Sequence, residues 1–421
     1  MNSLADLSAQ SLAEMLDELG RFSAPGAGVT RLAYTPAWCA AHRWLAERAR
    51  AFGLEATPDA VGNLYFYPPD VRPGENRPVL MIGSHVDSVV HGGRFDGAYG
   101  VIGGLLIAAE LNGRGKLPVV GFATCEEDEV RFGAQMMGVR AMLGRAKADE
   151  LDRVFDAARI TWRRALDEAR AAGCAASIPA GDVLAPPLFK PVRMLELHIE
   201  QGPVLEAGKL ALGIVDHIGG YRRLLATITG EARHSGTTPG RLRHDALAAA
   251  AEMILAAEAL ALESDDAARV TAGNARPGPG LYNVVPGECE LWLEVRHVLT
   301  ASLEALVIEL DKRCRAIANR RGVRVSIESP SGLAPTPLSR EIADQAVALA
   351  REMQISHRRL ASGAGHDTMV FAQSGVPACM VFVPSRGGIS HAPEEFTAPE
   401  ALWEGYRFTR ELAARLAEHG A

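Results

Sequence analysis

Residues 81–100 read MIGSHVDSVVHGGRFDGAYG, and this stretch predicts both the type of sheet and the position of a site. The apolar residues 79–82 predict a buried strand, and His85, Asp87 and Asp96 follow its end among several glycines. Open α/β sheets bind ligands at the carboxyl ends of their strands. Because a His and an Asp on adjacent loops can hold a divalent metal, we expect a metal site here, with Asp87 orienting His85.

On both sides of this stretch, helix patterns alternate with strand patterns. Helices are predicted at 37–52, 103–111 and 144–172, and strands at 60–67, 79–82, 119–124, 194–197 and 378–383. Strands that alternate with helices favour a parallel sheet. The sequence therefore predicts an α/β fold with a mostly parallel sheet and flanking helices.

The pattern changes in the middle of the chain. Strands are predicted at 222–229, 282–285, 288–295 and 323–328, and helices at 244–263 and 301–321. This order is typical of a compact α+β module of the βαββαβ type. We therefore predict a catalytic domain in two parts, residues 1–210 and 331–421, interrupted by a smaller α+β domain over residues 211–330.

The composition is that of an ordinary globular protein, with 421 residues, 48% hydrophobic, 23% charged and a net charge of −7. The acidic balance gives no basic face for nucleic acid. Six scattered cysteines without a CxxC pair predict reduced thiols. Residues 1–22 carry acids where a signal peptide needs positive charge, and no apolar run approaches the roughly 20 residues that span a bilayer. We expect a soluble, cytoplasmic protein without a nucleic-acid or membrane partner.

Potential metal ligands follow four predicted strands. They are His85 with Asp96, the acidic run 126–129, His198 and His391. Taken singly, His198 or His391 also fits a structural histidine. Taken together, imidazoles and carboxylates at four strand ends predict one shared site with enough ligands for two metal ions.

Six stretches resemble the hydantoinase/carbamoylase-type amidases, within the co-catalytic zinc exopeptidase superfamily. They are GSHVDSVVHGGRFDGAYGV (83–101), ELHIEQGPVLE (196–206), HSGTTP (234–239), NVVPGECELWLEVRH (283–297), SGAGHD (362–367) and PSRGGISHAPEE (384–395). The family includes N-carbamoyl-L-amino-acid hydrolases, β-ureidopropionases and allantoate amidohydrolases. The GSHxD element alone is shared with peptidases of the superfamily, whereas the second, fifth and sixth stretches point to the amidase branch.

The resemblance implies that His85 and His198 are terminal ligands of two metal ions, that Asp96 bridges the ions and that His391 completes the set. The family's base motif is E-E-G-x-R-F, in which the first Glu is the general base and the second a metal ligand. This sequence reads EEDEVRF over residues 126–132. Alignment on the Arg-Phe pair makes Glu127 the base, Asp128 the ligand and Glu129 the substitute for Gly.

Alignment on the two glutamates instead makes Glu126 the base and Glu127 the ligand. We prefer the first alignment because it needs no insertion. In that case Asp128 is one methylene shorter than the family's ligand, and the affinity for the metal or the preferred ion is expected to differ from the family's.

Further residues are assigned to the substrate by resemblance. His234 corresponds to the family's oxyanion donor, which reaches across a dimer interface, so a homodimer with a dimerisation or lid domain is implied. Arg296 and Asn283 resemble the pair that holds the substrate carboxylate, although Arg296 also fits a surface residue paired with Glu294 or Glu288. Residues further expected to contact the ureido substrate are Gln201, Gly363 and His366.

The resemblance implies a metal-dependent amidohydrolase that cleaves the ureido C–N bond of a small carboxylate, either an N-carbamoyl amino acid, N-carbamoyl-β-alanine or allantoate. The expected cofactors are two zinc ions, with manganese, cobalt or nickel as alternatives. Competing hypotheses are a dipeptidase or aminoacylase of the same superfamily, and a catalytically silent ligand-binding relative. The last is motivated by the altered base motif at Asp128 and Glu129.

Overall fold

A computed structural model describes residues 4–134, 136–172 and 187–418 of the chain. The chain divides into two compact units. The first unit comprises Met1–Asp216, Leu338–Leu360 and His366–Ala421, and the second comprises His217–Pro337 and Ala361–Gly365. The second unit is therefore inserted into the sequence of the first.

The first unit combines helices with one large sheet. Its strands are β1 (Glu55–Pro58), β2 (Leu64–Tyr67), β3 (Pro78–His85), β4 (Val119–Thr124), β5 (Lys190–Ile199), β6 (Leu212–Ile218), β14 (His357–Ser362) and β15 (Ala378–Val383). Its helices are α1 (Ala9–Gly20), α2 (Pro36–Ala51), α3 (Ala98–Glu110), α4 (Met137–Met142), α5 (Glu150–Arg153), α6 (Trp162–Ala171), α7 (Val204–Gly208), α10 (Arg340–Glu352), α11 (Asp367–Gln373) and α12 (Pro399–Glu418).

Parallel strands form the centre of this sheet, whose order is β1-β2-β4-β3-β5-β15-β6 followed by the short strand β13 (Thr336–Pro337), with β14 also paired to β6. The neighbours β4, β3, β5 and β15 are mutually parallel, whereas the β1–β2, β2–β4 and β15–β6 pairs are antiparallel. His85 is in register with Thr124, and His198 with Phe382. The predicted α/β class with a mainly parallel sheet is confirmed.

Helix α3 explains how the loop at Asp96 reaches this sheet. The helix is apolar all round and almost wholly buried, and it contacts β3 and β4. A Cβ at Gly104 would lie 2.2 Å from the carbonyl oxygen of Ile82, so only glycine permits this close approach. The N-terminus of α3, directly after Asp96 and Gly97, is thereby fixed near the end of β3.

The second unit is an antiparallel sheet covered by two long helices. Its strands are β7 (Gly220–Thr229), β8 (Arg233–His234), β9 (Arg269–Gly278), β10 (Val284–Val285), β11 (Glu288–His297), β12 (Arg324–Leu333) and β13 (Thr336–Pro337), and its helices are α8 (Ala246–Glu263) and α9 (Thr300–Arg321). The four-stranded sheet has the order β12-β7-β11-β9, and β8 pairs with β10. Buried and less buried residues alternate along β11, so Arg296 lies on the face opposite Val295 and the helices.

Three secondary-structure predictions are wrong. The stretch 144–172 is interrupted, because Asp156 accepts hydrogen bonds from the N–H groups of Ala158 and Ile160 and so forms a turn between α5 and α6. The strand predicted at 60–67 begins only at residue 64. In the inserted unit, the long second strand is β9 at residues 269–278, and only Val284–Val285 forms a strand within 282–285. The edge strand β9 lacks the apolar alternation that would have revealed it.

The cysteines differ in part from expectation. Cys125, Cys289, Cys314 and Cys379 are free and buried, whereas Cys39 is disulfide-bonded. The prediction of reduced thiols is therefore wrong at Cys39. Within the described residues, no helix is both long and apolar enough to cross a membrane.

Candidate metal centre

Four loops meet at the carboxyl edge of the parallel strands, and each carries a predicted metal ligand. His85 ends β3, residues 126–129 follow β4, His198 lies near the end of β5, and His391 follows β15. These strands are adjacent and parallel, so their carboxyl ends share one edge. Ligands that are far apart in sequence are thereby brought together.

The first potential metal group consists of His85, Asp96 and His198, which are all buried. Nε2 of His198 lies 3.2 Å from Oδ1 of Asp96, and Nε2 of His85 lies 3.5 Å from the same oxygen. Ligands at about 2.0–2.1 Å from a tetrahedral zinc stand roughly 3.3 Å from one another. The three atoms therefore have the spacing of ligands around one ion.

The second potential group consists of Asp96, Asp128 and His391; two further groups overlap with these, namely His85, Asp87 and Asp128, and Glu196, His198 and His366. Nε2 of His391 lies 3.0 Å from Oδ2 of Asp96 and 3.7 Å from Oδ1 of Asp128. The side chain of His391 is half exposed, which leaves this group open to solvent. Asp96 belongs to the first and the second group and directs one carboxylate oxygen at each.

Main-chain carbonyls orient the two buried histidines. Nδ1 of His85 lies 3.0 Å from the carbonyl oxygen of Asp87, and Nδ1 of His198 lies 2.8 Å from that of Ile199. Each imidazole therefore turns Nε2 towards Asp96. The Asp87 carboxylate instead accepts the N–H of Asp128 at 3.3 Å, so Asp87 orients His85 through its backbone and the acidic loop through its side chain.

Gly97 allows the ligands to approach this closely. Its φ angle is +62°, and a Cβ there would lie 2.5 Å from ring atoms of His85. Its backbone nitrogen also lies 3.2 Å from Nε2 of His198. A side chain at residue 97 would displace the His85 ring, because both the backbone conformation and the space require glycine.

The charges of the site favour an added cation. Burial by itself would raise the pKa of Asp96, but hydrogen bonds with His198, His391 and His85 outweigh burial and hold that pKa well below its usual value. Burial would lower the pKa of His85, but the negative charge of Glu127 and Asp96 raises it well above its usual value. Positive charge is therefore stabilised strongly among these carboxylates.

Buried polar atoms without a hydrogen-bond partner indicate whether a divalent metal would fit this site. Oδ1 of Asp87, Oδ2 of Asp128 and Oε1 of Gln201 are buried, and none has a hydrogen-bond partner among the described residues. Buried carboxylate oxygens without a donor are costly unless a cation compensates them. These atoms adjoin the two His–carboxylate groups, so the residues present fit divalent metal binding.

The acidic loop places its three carboxylates differently. Oε2 of Glu127 lies 3.8 Å from Nε2 of His85, and Asp128 adjoins His391. The carboxylate of Glu126 instead accepts the N–H of Phe132 at 2.5 Å, and burial raises the pKa of Glu126 to about 8. Glu127 thus lies beside His85 and Asp128 beside His391, whereas Glu126 bonds to the backbone.

Gln201 and His366 adjoin the same cluster. Nε2 of Gln201 donates to Oδ2 of Asp96 at 3.0 Å. The His366 ring is buried at 4.7 Å from the ring of His198, and burial together with the neighbouring His198 lowers the pKa of His366 well below its usual value. His366 is therefore a neutral neighbour of the first metal group.

His234 and Asn283 are neighbours in the second unit. The N–H of Ser235 donates to the carbonyl oxygen of Asn283 at 3.0 Å, and both His234 and Asn283 are exposed. Nδ1 of His234 accepts the N–H groups of Gly236 at 3.0 Å and Thr237 at 3.3 Å. A ring nitrogen that accepts carries no hydrogen, so these contacts leave Nε2 as the ring's donor.

Arg296 and Gly363 are also brought together in the second unit. Nη1 of Arg296 donates to the carbonyl oxygen of Gly363 at 2.8 Å, and the guanidinium lies 5.3 Å from the ring centre of Tyr221. Nε of Arg296 donates to Glu294 at 2.6 Å, so the alternative pairing with Glu294 does occur. The carbonyl oxygen of Gly363 accepts this hydrogen bond and thereby helps to position the Arg296 side chain.

Two buried carboxylates near the site, those of Glu196 and Glu395, were not predicted from the sequence. Glu196 accepts the hydroxyl of Ser84 at 2.6 Å and the N–H of Thr368 at 3.0 Å, which ties β3, β5 and the start of α11 together beneath His198. Its position two residues before His198 on one strand was a usable signal, since such residues share a face. Glu395 contacts the loop that carries Asp96. Its position in the SHAPEE stretch was its only sequence signal for a place in the site.

The fold and the His–carboxylate groups define an α/β protein with residues suited to bind divalent metal at the carboxyl edge of its parallel strands. Residues 75–415 match peptidase family M20/M25/M40. The chain therefore belongs to this family, and to its hydantoinase/carbamoylase amidase branch, as the following relatives indicate.

An N-carbamoyl-L-amino-acid amidohydrolase from Paenarthrobacter aurescens is 37% identical over 96% of this chain and 97% of its own length. An allantoate amidohydrolase from Bacillus subtilis is 34% identical, covering 97% of each chain. The solved structure of a hydantoinase/carbamoylase family amidase from Burkholderia multivorans superimposes with a TM-score of 0.87, at 30% identity and 99% coverage of both chains. The recognised family resemblance is thus confirmed.

Proposed function

We propose that this protein is a metal-dependent amidohydrolase that hydrolyses the ureido (N-carbamoyl) C–N bond of a small carboxylate, such as an N-carbamoyl-L-amino acid or allantoate. The main observation behind this proposal is the orientation of Asp96. Its Oδ1 faces His85 and His198, and its Oδ2 faces His391. A carboxylate placed in this way suits a pair of divalent ions. Relatives named for N-carbamoyl amino acids and allantoate support the substrate class.

We propose two ions per chain, the first bound by His85, Asp96 and His198 and the second by Asp96, Asp128 and His391. Zinc suits these imidazole and carboxylate ligands, as do manganese, cobalt and nickel. When bound, such ions acidify water and polarise a carbonyl group.

Glu127 is the proposed general base, which takes a proton from the attacking water and delivers it to the leaving nitrogen. It lies beside His85 but outside both metal groups. Burial and the nearby carboxylates raise the pKa of Glu127 well above its usual value, against the opposing effect of His85. A carboxyl with a raised pKa can hold a proton between the two steps of the reaction.

Arg296 is the proposed partner of the substrate carboxylate, with Asn283 adding a hydrogen bond. Glu294 and Gly363 engage Nε and Nη1 of Arg296, which fixes the guanidinium plane before a substrate arrives. A planar guanidinium on a fixed side chain suits bidentate recognition of a carboxylate.

His234 is the proposed donor to the carbonyl oxygen as negative charge develops there. Two backbone N–H groups on Nδ1 fix the tautomer that donates from Nε2, which supports this role. Gln201 and His366 are proposed to contact the ureido group from beside Asp96 and His198, respectively.

We further propose a homodimer in which His234 of one chain serves the site of its partner. The inserted unit supports this role because α8 exposes Leu247, Leu255 and Leu262 on one helix face. Exposed apolar stripes of this kind mark association surfaces. Sedimentation of the pure protein should therefore give twice the chain mass.

The substrate class is tested with the metal-loaded enzyme on allantoate, N-carbamoyl-β-alanine, N-carbamoyl-L- and N-carbamoyl-D-amino acids, dipeptides and N-acyl amino acids. Release of ammonia and carbon dioxide from one of the ureido compounds is the expected result. Turnover confined to dipeptides or N-acyl amino acids would favour a peptidase or aminoacylase. Binding of metal and substrate without any turnover would instead show a catalytically silent relative.

A further inference from the structure

Glu395 connects to the loop that carries Asp96. The residue is 4% exposed, and Oε1 accepts the N–H of Phe95 at 2.9 Å and the N–H of Asp96 at 3.2 Å. These hydrogen bonds join residues 300 and 299 positions apart in the chain. Two donors on one buried carboxylate oxygen fix the backbone directly at Asp96.

The second oxygen of Glu395 connects to the loop that carries His391. Oε2 accepts the hydroxyl of Ser390 at 2.8 Å, and Ser390 directly precedes His391. Nε2 of Gln201 completes the connection, since it lies 3.2 Å from Oγ of Ser390 and 3.0 Å from Oδ2 of Asp96. Glu395 thus bonds to two of the three loops that carry the second metal group, those of Asp96 and His391.

Gly93 provides the space for this carboxylate. A Cβ at residue 93 would lie 2.0 Å from Cδ and Oε1 of Glu395. The neighbouring Glu394 is exposed and makes none of these contacts, so it offers a matched control. Among the described residues, the donors to Glu395 come from the loops of Asp96 and His391, which leaves the carboxylate engaged rather than free to coordinate an ion.

We propose that Glu395 is a positioning residue that holds Asp96 and His391 at the separation required by the second metal ion. The inference rests on the proposed function, because it assumes that these two residues are ligands. Glu395 acts through the backbone at Asp96 and through Ser390, and touches neither the ion nor the substrate. Partners of this kind commonly change metal affinity about 10–100-fold when they are removed.

The test compares Glu395→Ala, Glu395→Gln and Glu394→Ala with the wild type. Ion stoichiometry and affinity are measured by competition between Co²⁺ and a chelator, together with the visible spectrum of the bound Co²⁺ and with kcat and KM. We expect Glu395→Ala to weaken the second ion about 10–100-fold, to alter the Co²⁺ spectrum and to lower kcat more than it raises KM. Glu395→Gln should recover most of the affinity, because its amide can accept both N–H groups and donate to Ser390.

Gly93→Ala perturbs the same contact without removing the carboxylate, and it is expected to reproduce the loss of the second ion. If Glu395→Ala does not fold, the metal affinity and the Co²⁺ spectrum of Gly93→Ala test the positioning role instead. Wild-type affinity and an unchanged Co²⁺ spectrum in both Glu395→Ala and Gly93→Ala would overturn the positioning role and leave the proposed function standing. A wild-type protein that binds no divalent ion would overturn the proposed function itself.

Discussion

Replacing Glu127 by Gln tests the proposed division of labour in the acidic loop. Gln has almost the same shape, so the packing of this buried residue should survive the change. A general base contributes about 10²–10⁴ in rate, which corresponds to roughly 3–5 kcal/mol of activation barrier. Because Glu127 lies outside all four potential metal groups, we expect a loss of kcat of this size with unchanged metal content.

Variants of the two flanking residues, Glu126 and Asp128, are expected to behave differently from Glu127→Gln. Glu126→Gln alters a carboxylate that accepts the N–H of Phe132, so this variant should lose stability while it keeps most of its turnover. Asp128→Asn should lose the second ion, because its Oδ1 faces Nε2 of His391. Steady-state kinetics, metal analysis and thermal unfolding of the three purified variants separate these effects.

One combination of results would refute this reasoning. If Glu126→Gln is inactive with its metals intact while Glu127→Gln loses an ion, the base is Glu126 and the ligand is Glu127. The other alignment of the EEDEVRF stretch would then hold.

Three further predictions concern the substrate and the stability of the first unit. Arg296→Ala should raise KM more than it lowers kcat, because the carboxylate is bound alike in the ground and transition states. His234→Ala should lower kcat about 10²–10³-fold, as expected for a single oxyanion donor, and mixing it with Glu127→Gln should restore activity in heterodimers that pair one intact His234 with one intact Glu127. His42 is buried against Trp38, and burial lowers its pKa from 6.5 to about 3. At this residue the unfolded chain therefore binds more protons below pH 6.5, so the contribution of His42 to stability falls by about 2 kcal/mol between pH 7 and 5. His42→Phe should remove this dependence in urea unfolding followed by Trp fluorescence.

Each of these three predictions has its own control. Arg296→Lys keeps the charge but not the planar fork, so it should recover KM only in part. Heterodimers confirmed by mass that regain no activity would place His234 in the site of its own chain. For the stability measurement, the exposed His91 is changed to Asn, which tolerates its φ of +57°. An equal flattening of the pH dependence in His91→Asn would argue against His42 as the source.

The sequence alone predicted the fold class and the set of potential ligands. Apolar runs such as residues 378–383, which form β15, must be buried, and their ends mark where polar side chains can gather. Since parallel strands place their carboxyl ends at one edge, His85, His198 and His391 could be grouped without coordinates. The assignments to catalysis and to the two ions remain predictions.

Tertiary structure decided what depends on long-range contacts and on local backbone conformation. Glu126 adopts a φ of +56° and turns its carboxylate to Phe132, which separates it from Glu127 in a way that residue spacing cannot reveal. Glu395 lies 299 positions after Asp96 in the sequence and meets its N–H only once the chain between them has folded. A sequence pattern reports which side chains must be buried, whereas hydrogen-bond partners between loops are fixed only when the strands that carry those loops are packed.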